Sequence, residues 1–257
     1  MDQIYIPKLR ANLPIGTYVI IKPLKTTLKG NKEEENKLHF YNIKSIEPLK
    51  LQIINQIIKI IDHNSQDYEN IIITGSFLEK GFSFNDIDIL LITNNKTNIN
   101  LLQKTIEKQI QIKLHIISLD NKTLIKGISS DPLYELMLSK YISKKRFIHN
   151  TKRKINYKIL DLHLLKSKSL INNFDILSGN EKYYLTRNTT AISQFFKNKE
   201  ITKNIIDKEI EKTFNIKINE IKQNLIEKKS FLKKYKTYHN QIFNKIMKEI
   251  KNDSKQK

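Results

Sequence analysis

The residues best suited to chemistry lie in one short segment, Gly75-Ser-Phe-Leu-Glu-Lys-Gly-Phe-Ser-Phe-Asn-Asp-Ile-Asp88. It opens on a Gly-Ser pair and closes on two aspartates two residues apart. Glycine lets the backbone approach a phosphate closely, and backbone N–H groups with a serine hydroxyl can donate to phosphate oxygens. Strand side chains alternate between faces, so Asp86 and Asp88 project to the same side. Two carboxylates that close repel unless a cation lies between them. Oxygen donors with no Cys or His beside them favour Mg²⁺, or Mn²⁺ in its place, and Mg²⁺ keeps waters and shares its shell with substrate phosphates. The bland alternative is a glycine turn and two solvated aspartates at a strand end. It does not explain why a β-branched run from Ile71 leads straight into Gly75-Ser76.

These residues need elements to hold them. Ile54, Ile57, Ile58 and Ile61 follow helical spacing within a segment from Ile46 to Ile61. Asn70 to Thr74 reads as a buried strand ending in the glycine turn. Asp86 to Ile92 alternates and then becomes wholly apolar, as expected of a central strand with one functional end. A helix over Asn98 to Gln109 follows, then a third strand from Ile110 to Leu119. The order is helix, strand, turn, strand, helix, strand. After Asp131-Pro132 helical patterns dominate, with breaks near Asn172-Asn173 and Ser178-Gly179-Asn180.

Gly-Ser, a spacer and Asp-x-Asp entering an apolar strand resembles the signature of the DNA polymerase beta-like nucleotidyltransferase superfamily. The resemblance covers about Ile71 to Leu119. It implies that Gly75 and Ser76 form the phosphate loop, and that Asp86 and Asp88 are catalytic metal ligands of a two-metal displacement. Lys80 and Gly81 match the basic residue and glycine often found in the spacer, which makes Lys80 a nucleotide-binding candidate. Active members usually carry a third carboxylate on the next strand. Here that strand offers Gln111, Lys113 and His115 on its polar face. Lys113 falls about where the acid is expected, and Asp120 lies beyond the strand's end. A carboxylate from Asp120, Glu79 or Glu107 would complete the set. Without one, His115 is a possible base, with a neutral-range side chain, or a structural residue. Lys113 is then a phosphate partner or a substitute for one metal, and a degenerate site that binds without reacting is the remaining alternative.

Between Ser139 and Lys168 there are ten Lys or Arg residues and one acid, Asp161. The clusters Lys144-Lys145-Arg146 and Lys152-Arg153-Lys154 suit a phosphate backbone, and the interleaved Tyr141, Phe147 and Tyr157 are candidates to stack on bases. The same aromatics serve equally as core anchors. Phe231 to His239 repeats the theme, and Arg187 is an isolated cation that would fit the second side of a cleft.

The whole chain points the same way. Its 257 residues carry 46 Lys or Arg against 26 Asp or Glu, a net charge of +20, which attracts polyanions and nucleic acid first. With no cysteine, disulfides and thiolate metal sites are excluded. No apolar leader or membrane-length run is present, so a soluble, cytoplasmic protein is expected, with no membrane partner. Scattered histidines give no zinc-type pair, and no Walker loop, Rossmann fingerprint or Gly-x-Ser-x-Gly elbow occurs. The expected fold is an α/β (α+β) nucleotidyltransferase core with a small mixed sheet over residues 46–125. A small accessory element (1–45) precedes it, and a basic, mainly α-helical domain (126–257) follows. The expected activity is metal-dependent transfer of a nucleoside monophosphate from an NTP to an acceptor hydroxyl, RNA being favoured. Protein or small-molecule acceptors, or a decayed nucleic-acid-binding scaffold, are the competitors.

Overall fold

The β-branched runs and isoleucine-spaced helices assemble as a small mixed sheet with helices on both faces, followed by a helical pack. The computed structural model describes residues 37–65, 67–95, 97–147 and 151–255. The strand-like stretch at Thr17 and most of the charged segment after Lys25 lie outside the described residues.

Helix α1 (Pro48–Asn64) starts with proline in its first turn, where no N–H is needed, and buries Ile54, Ile57, Ile58 and Ile61. Strand β2 (Asn70–Thr74) is wholly buried and ends at Gly75, after which Ser76–Leu78 form one 3₁₀ turn. Strand β3 (Asp86–Ile92) runs back antiparallel to β2, with Thr74 opposite Asp88. Helix α2 (Ile99–Ile110) is capped by the Asn98 side chain, which accepts from the Leu101 N–H. It leads to β4 (Lys113–Leu119), which lies parallel to β3. The helix–strand–turn–strand–helix–strand order read from the sequence is the order observed.

Two three-residue strands complete the sheet, β1 (His39–Tyr41) and β5 (Tyr141–Ser143), in the spatial order β1-β5-β2-β3-β4. The reading of everything after Pro132 as helical is corrected at β5. Tyr141-Ile-Ser pairs with β1 on one side and β2 on the other, and three residues are too few to display a strand period.

Period-two alternation sorts the sheet's side chains. Ile71, Ile73, Ile87, Ile89, Leu114 and Ile116 pack with α1 and α2. Ile72, Leu90 and Ile92 face α3 (Asn121–Ser130) and the segment after it. Asp86 and Asp88 share the second face by parity with Leu90 and Ile92, and Lys113 and His115 share it by parity with Ile117. Helix α4 (Pro132–Met137) links this face to the helical pack: Leu136 belongs to the helical core, whereas Met137 packs with the sheet's. That pack comprises α5 (Tyr157–Asn172), α6 (Gly179–Phe196), α7 (Lys203–Phe214), α8 (Ile218–Lys222) and α9 (Lys228–Lys255). Phe214, Phe231 and Tyr235 stack at its centre.

The loop from β2 to β3 is anchored by a buried charge. Lys50 on α1 is fully buried, with its ammonium within 6 Å of the rings of Phe77, Phe82 and Phe84. It donates to the Glu79 carbonyl and pairs with Glu47 at 3.0 Å. The Glu47 carboxylate accepts from the Gly81 N–H at 2.6 Å. That N–H above all, then the residue's own backbone and Lys50, holds the Glu47 carboxyl at about 2, below its ordinary 4.5. A depressed acid contributes stability above its unfolded value, and that stability is lost as pH falls through the folded one. The stability deficit of Glu47→Gln relative to wild type should therefore be constant above about pH 5 and vanish as the pH approaches 2. Urea titrations of both proteins across pH 2–6 measure it, and a deficit independent of pH would show that the Glu47 charge does not anchor the loop.

Candidate active site

The register of three strands builds the site. Thr74 stands opposite Asp88, and Asp86 and Asp88 stand beside Lys113 and His115 in the β3–β4 ladder. Gly75 follows directly, with φ +83°. This is a left-handed conformation that side chains resist. A Cβ built on Gly75 would lie 2.1 Å from an Asp88 carboxylate oxygen. The glycine is therefore required twice, by its backbone angle and by the carboxylate packed against it. From sequence, its role was expected to be phosphate approach alone. The aspartate is the nearer constraint.

Asp88 is half-buried, and its carboxyl is pushed above the ordinary carboxylate value. Burial is the main cause and the neighbouring Asp86 charge the second, with His115 and Arg187 opposing them. His115 Nδ1 lies 3.4 Å from Asp88 Oδ1. No acid stands in the third position. Among the described residues no group of three or more His, Asp or Glu gathers to hold a metal.

The three acids named as possible replacements have other duties. Asp120 caps α3 through Thr123, at the far end of β4, about 20 Å along the strand from Lys113. Glu107 accepts from the Leu114 N–H at 2.8 Å. Glu79 is 3.7 Å from Lys140 and contributes to the field at Tyr183 and Lys222. The exposed Ser76 opens the 3₁₀ turn, and Lys80 lies exposed further along the same loop.

The helical pack supplies the facing wall. The Thr74 hydroxyl sits between the carbonyls of Met137 (2.5 Å) and Lys140 (3.0 Å), which fixes the α4–β5 turn against the end of β2. Helix α4 packs on α6, and α6 carries Arg187, whose charge favours ionised Asp88. Arg187 was legible in the sequence only as an isolated cation, because its place depends on how α6 docks.

The basic block divides. Lys144 is tied to both Asp62 oxygens (2.6 and 2.7 Å) and to Tyr68. Arg153 forks onto Glu135, donates to the Lys199 carbonyl and lies over Phe195. These two close internal ion pairs. Lys145, Arg146, Lys152 and Lys154 are exposed and make no ion pair among the described residues. The interleaved aromatics are core residues. Tyr141 is 2% exposed, stacks on Tyr41 and donates to the Phe147 carbonyl. Phe147 packs against the sheet's second core and Tyr157 against the helical one. In the second basic segment Phe231, Tyr235 and His239 are buried likewise. The stacking role is withdrawn for the buried rings, since a 2% exposed ring offers no face to a base.

The Gly75–Asp88 contact generates a test. Gly75→Ala should destabilise the protein by about 2 kcal/mol or more, from the left-handed backbone and the displaced carboxylate together. In an Asp88→Ala background the same change should cost distinctly less, because only the backbone part remains. A double-mutant cycle by urea denaturation reads the coupling. Additive effects would mean that Gly75 and Asp88 do not constrain each other.

Set against known protein families, curated proteins and solved structures, the chain matches none of them.

Proposed function

We propose that the protein is a nucleotidyltransferase that moves a nucleoside monophosphate from an NTP to an acceptor hydroxyl, RNA being the favoured acceptor. The observation that carries this is the pair Asp86 and Asp88, on one face of β3 and packed against the Gly75 turn, within a helix–strand–turn–strand–helix–strand unit. The residues fit a divalent cation. Two oxygen donors share a face, and mutual repulsion with burial destabilises their joint ionisation until a positive charge is added. Asp86 and Asp88 would hold Mg²⁺ or Mn²⁺, which supplies Lewis-acid stabilisation of charge on the phosphates.

The chain's own groups do the rest. The Gly75 turn and Ser76 hold phosphate, and Lys80 and Lys113 add positive charge around it. The acceptor oxygen bonds to the α-phosphorus as the bond to the bridging oxygen breaks, and pyrophosphate leaves with that electron pair. His115, beside Asp88, is placed to receive the hydroxyl proton. Positioning of the two reactants contributes much of the rate.

A second reading is favoured by a specific observation. Lys113, not an acid, stands beside Asp86, and two of the six basic residues are consumed internally. This supports a protein or small-molecule hydroxyl as acceptor, or a nucleic-acid binder that no longer reacts.

Incubation with α-labelled NTPs, Mg²⁺ or Mn²⁺, and total RNA and protein separates the readings. Label should pass to an acceptor, and Asp86→Asn with Asp88→Asn should abolish transfer while leaving the fold at least as stable at neutral pH. Transfer that survives the double substitution would sink the metal-site assignment. For the acceptor, Lys145, Arg146, Lys152 and Lys154 are the residues to change, since Lys144 and Arg153 hold the fold. If those four contact single-stranded RNA, the log–log salt slope is about −0.7 for each, roughly −3 together. Changing all four to Gln should flatten it by that amount. An unchanged slope removes this surface from RNA binding.

A further inference from the structure

We infer that Arg187 and Lys222, facing the aspartate pair from α6 and α8, form a seat for a polyphosphate chain. Their disposition is fixed by one ring. The Arg187 guanidinium carbon lies 6.0 Å from the Tyr183 ring centre and the Lys222 ammonium 4.6 Å from the same centre. Arg187 also lies 4.7 Å from the ring of Tyr184. Tyr183 is itself held, donating its hydroxyl to Asp207 at 2.7 Å. The two helices are locked together, since a Cβ on Gly179, the first residue of α6, would meet the Lys222 carbonyl at 2.2 Å.

Both cations lack a counterion among the described residues. The Arg187 Nε is buried and has no hydrogen-bond partner, and the guanidinium's one bond is a long contact of 3.4 Å to Asn188. The nearby acids are engaged elsewhere. Asp207 takes Tyr183 and Lys203, the latter at 3.2 Å, and Glu79 takes Lys140. The Lys222 ammonium is held below its ordinary value, first by desolvation and then by Lys203, with Arg187 adding repulsion and Asp207 and Glu79 opposing it. Cations fixed this close, repelling one another and short of an anion, are the mirror image of the Asp86–Asp88 pair. A ligand with several linked negative charges relieves both repulsions, if a divalent cation lies between it and the aspartates. A polyphosphate has that charge pattern, whereas a single phosphate cannot reach both walls with equal charge. The seat rests on the nucleotidyl-transfer reading only for the nucleoside attached to that chain.

Titration calorimetry on the full chain with inorganic tripolyphosphate, at fixed ionic strength and with Mg²⁺, tests the seat. Wild type should bind tripolyphosphate more tightly than orthophosphate. Arg187→Gln and Lys222→Gln should each weaken it by about tenfold, the worth of one charge-assisted hydrogen bond. Arg187→Lys should recover part of the loss, which a purely structural role for the guanidinium would not allow. Equal affinity in wild type and both Gln variants, or equal affinity for orthophosphate and tripolyphosphate, overturns the proposal. Label transfer from NTP is scored separately. The binding pattern without transfer upholds the seat and removes the transfer reading, whereas transfer without the pattern removes the seat alone.

Discussion

Everything in the candidate site turns on the space given to one carboxylate. Asp88 lies where β2 ends beside β3, and it is accommodated because residue 75 has no side chain to occupy the same volume. Burial and the Asp86 charge disfavour its ionised form, while His115 and Arg187 favour it. Those partners come from three places in the chain, a parallel strand, a glycine turn and a distant helix. Each must dock correctly for the carboxylate to sit as it does. The position is costly without a cation. A fold maintained only for stability would do better with a neutral residue there.

The loop between Gly75 and Asp86 is held from behind, not from the site. A fully buried ammonium is ordinarily unfavourable, and Lys50 is tolerated because a carboxylate, a carbonyl and three aromatic faces surround it. The Glu47–Gly81 hydrogen bond then fixes the loop's middle. Anchoring on the α1 side leaves Ser76 and Lys80 exposed and uncommitted. Rigid backing and a free front suit a loop that receives an anion.

What could be read in advance followed from local periodicity. The isoleucine spacing of α1, the β-branched run of β2 and the alternation in β3 and β4 express themselves within single elements, and the face shared by Asp86, Asp88, Lys113 and His115 follows from parity alone. Features set by distant packing were not legible. Tyr141-Ile-Ser becomes a strand because β1 and β2 pair with it, and its own three residues carry no pattern. Lys144 and Arg153 belong to clusters that look solvated, yet Asp62 and Glu135 neutralise them from 82 and 18 residues away in sequence. The aromatics among the lysines looked equally suited to core or surface, and burial decided for the core. Arg187 is the clearest case, since nothing near it in sequence marks it as a neighbour of Asp88.

An acidic pair inside a chain of charge +20 presents an electrostatic problem whose solution constrains the ligand. The surface field attracts polyanions over distances of about a Debye length, but the aspartates repel them at contact. A polyanion gains most if it carries its own divalent cation to Asp86 and Asp88 and turns its remaining charge toward Arg187 and Lys222. A metal–polyphosphate complex has that polarity, whereas a bare nucleic-acid backbone, uniformly negative, does not. The basic exterior and the acidic pair therefore need not recognise the same molecule. On the proposed reading, exposed lysines such as Lys145 and Lys152 address the acceptor, and the site addresses the nucleotide. Such a division explains how two aspartates persist in a protein whose overall charge would otherwise favour their replacement.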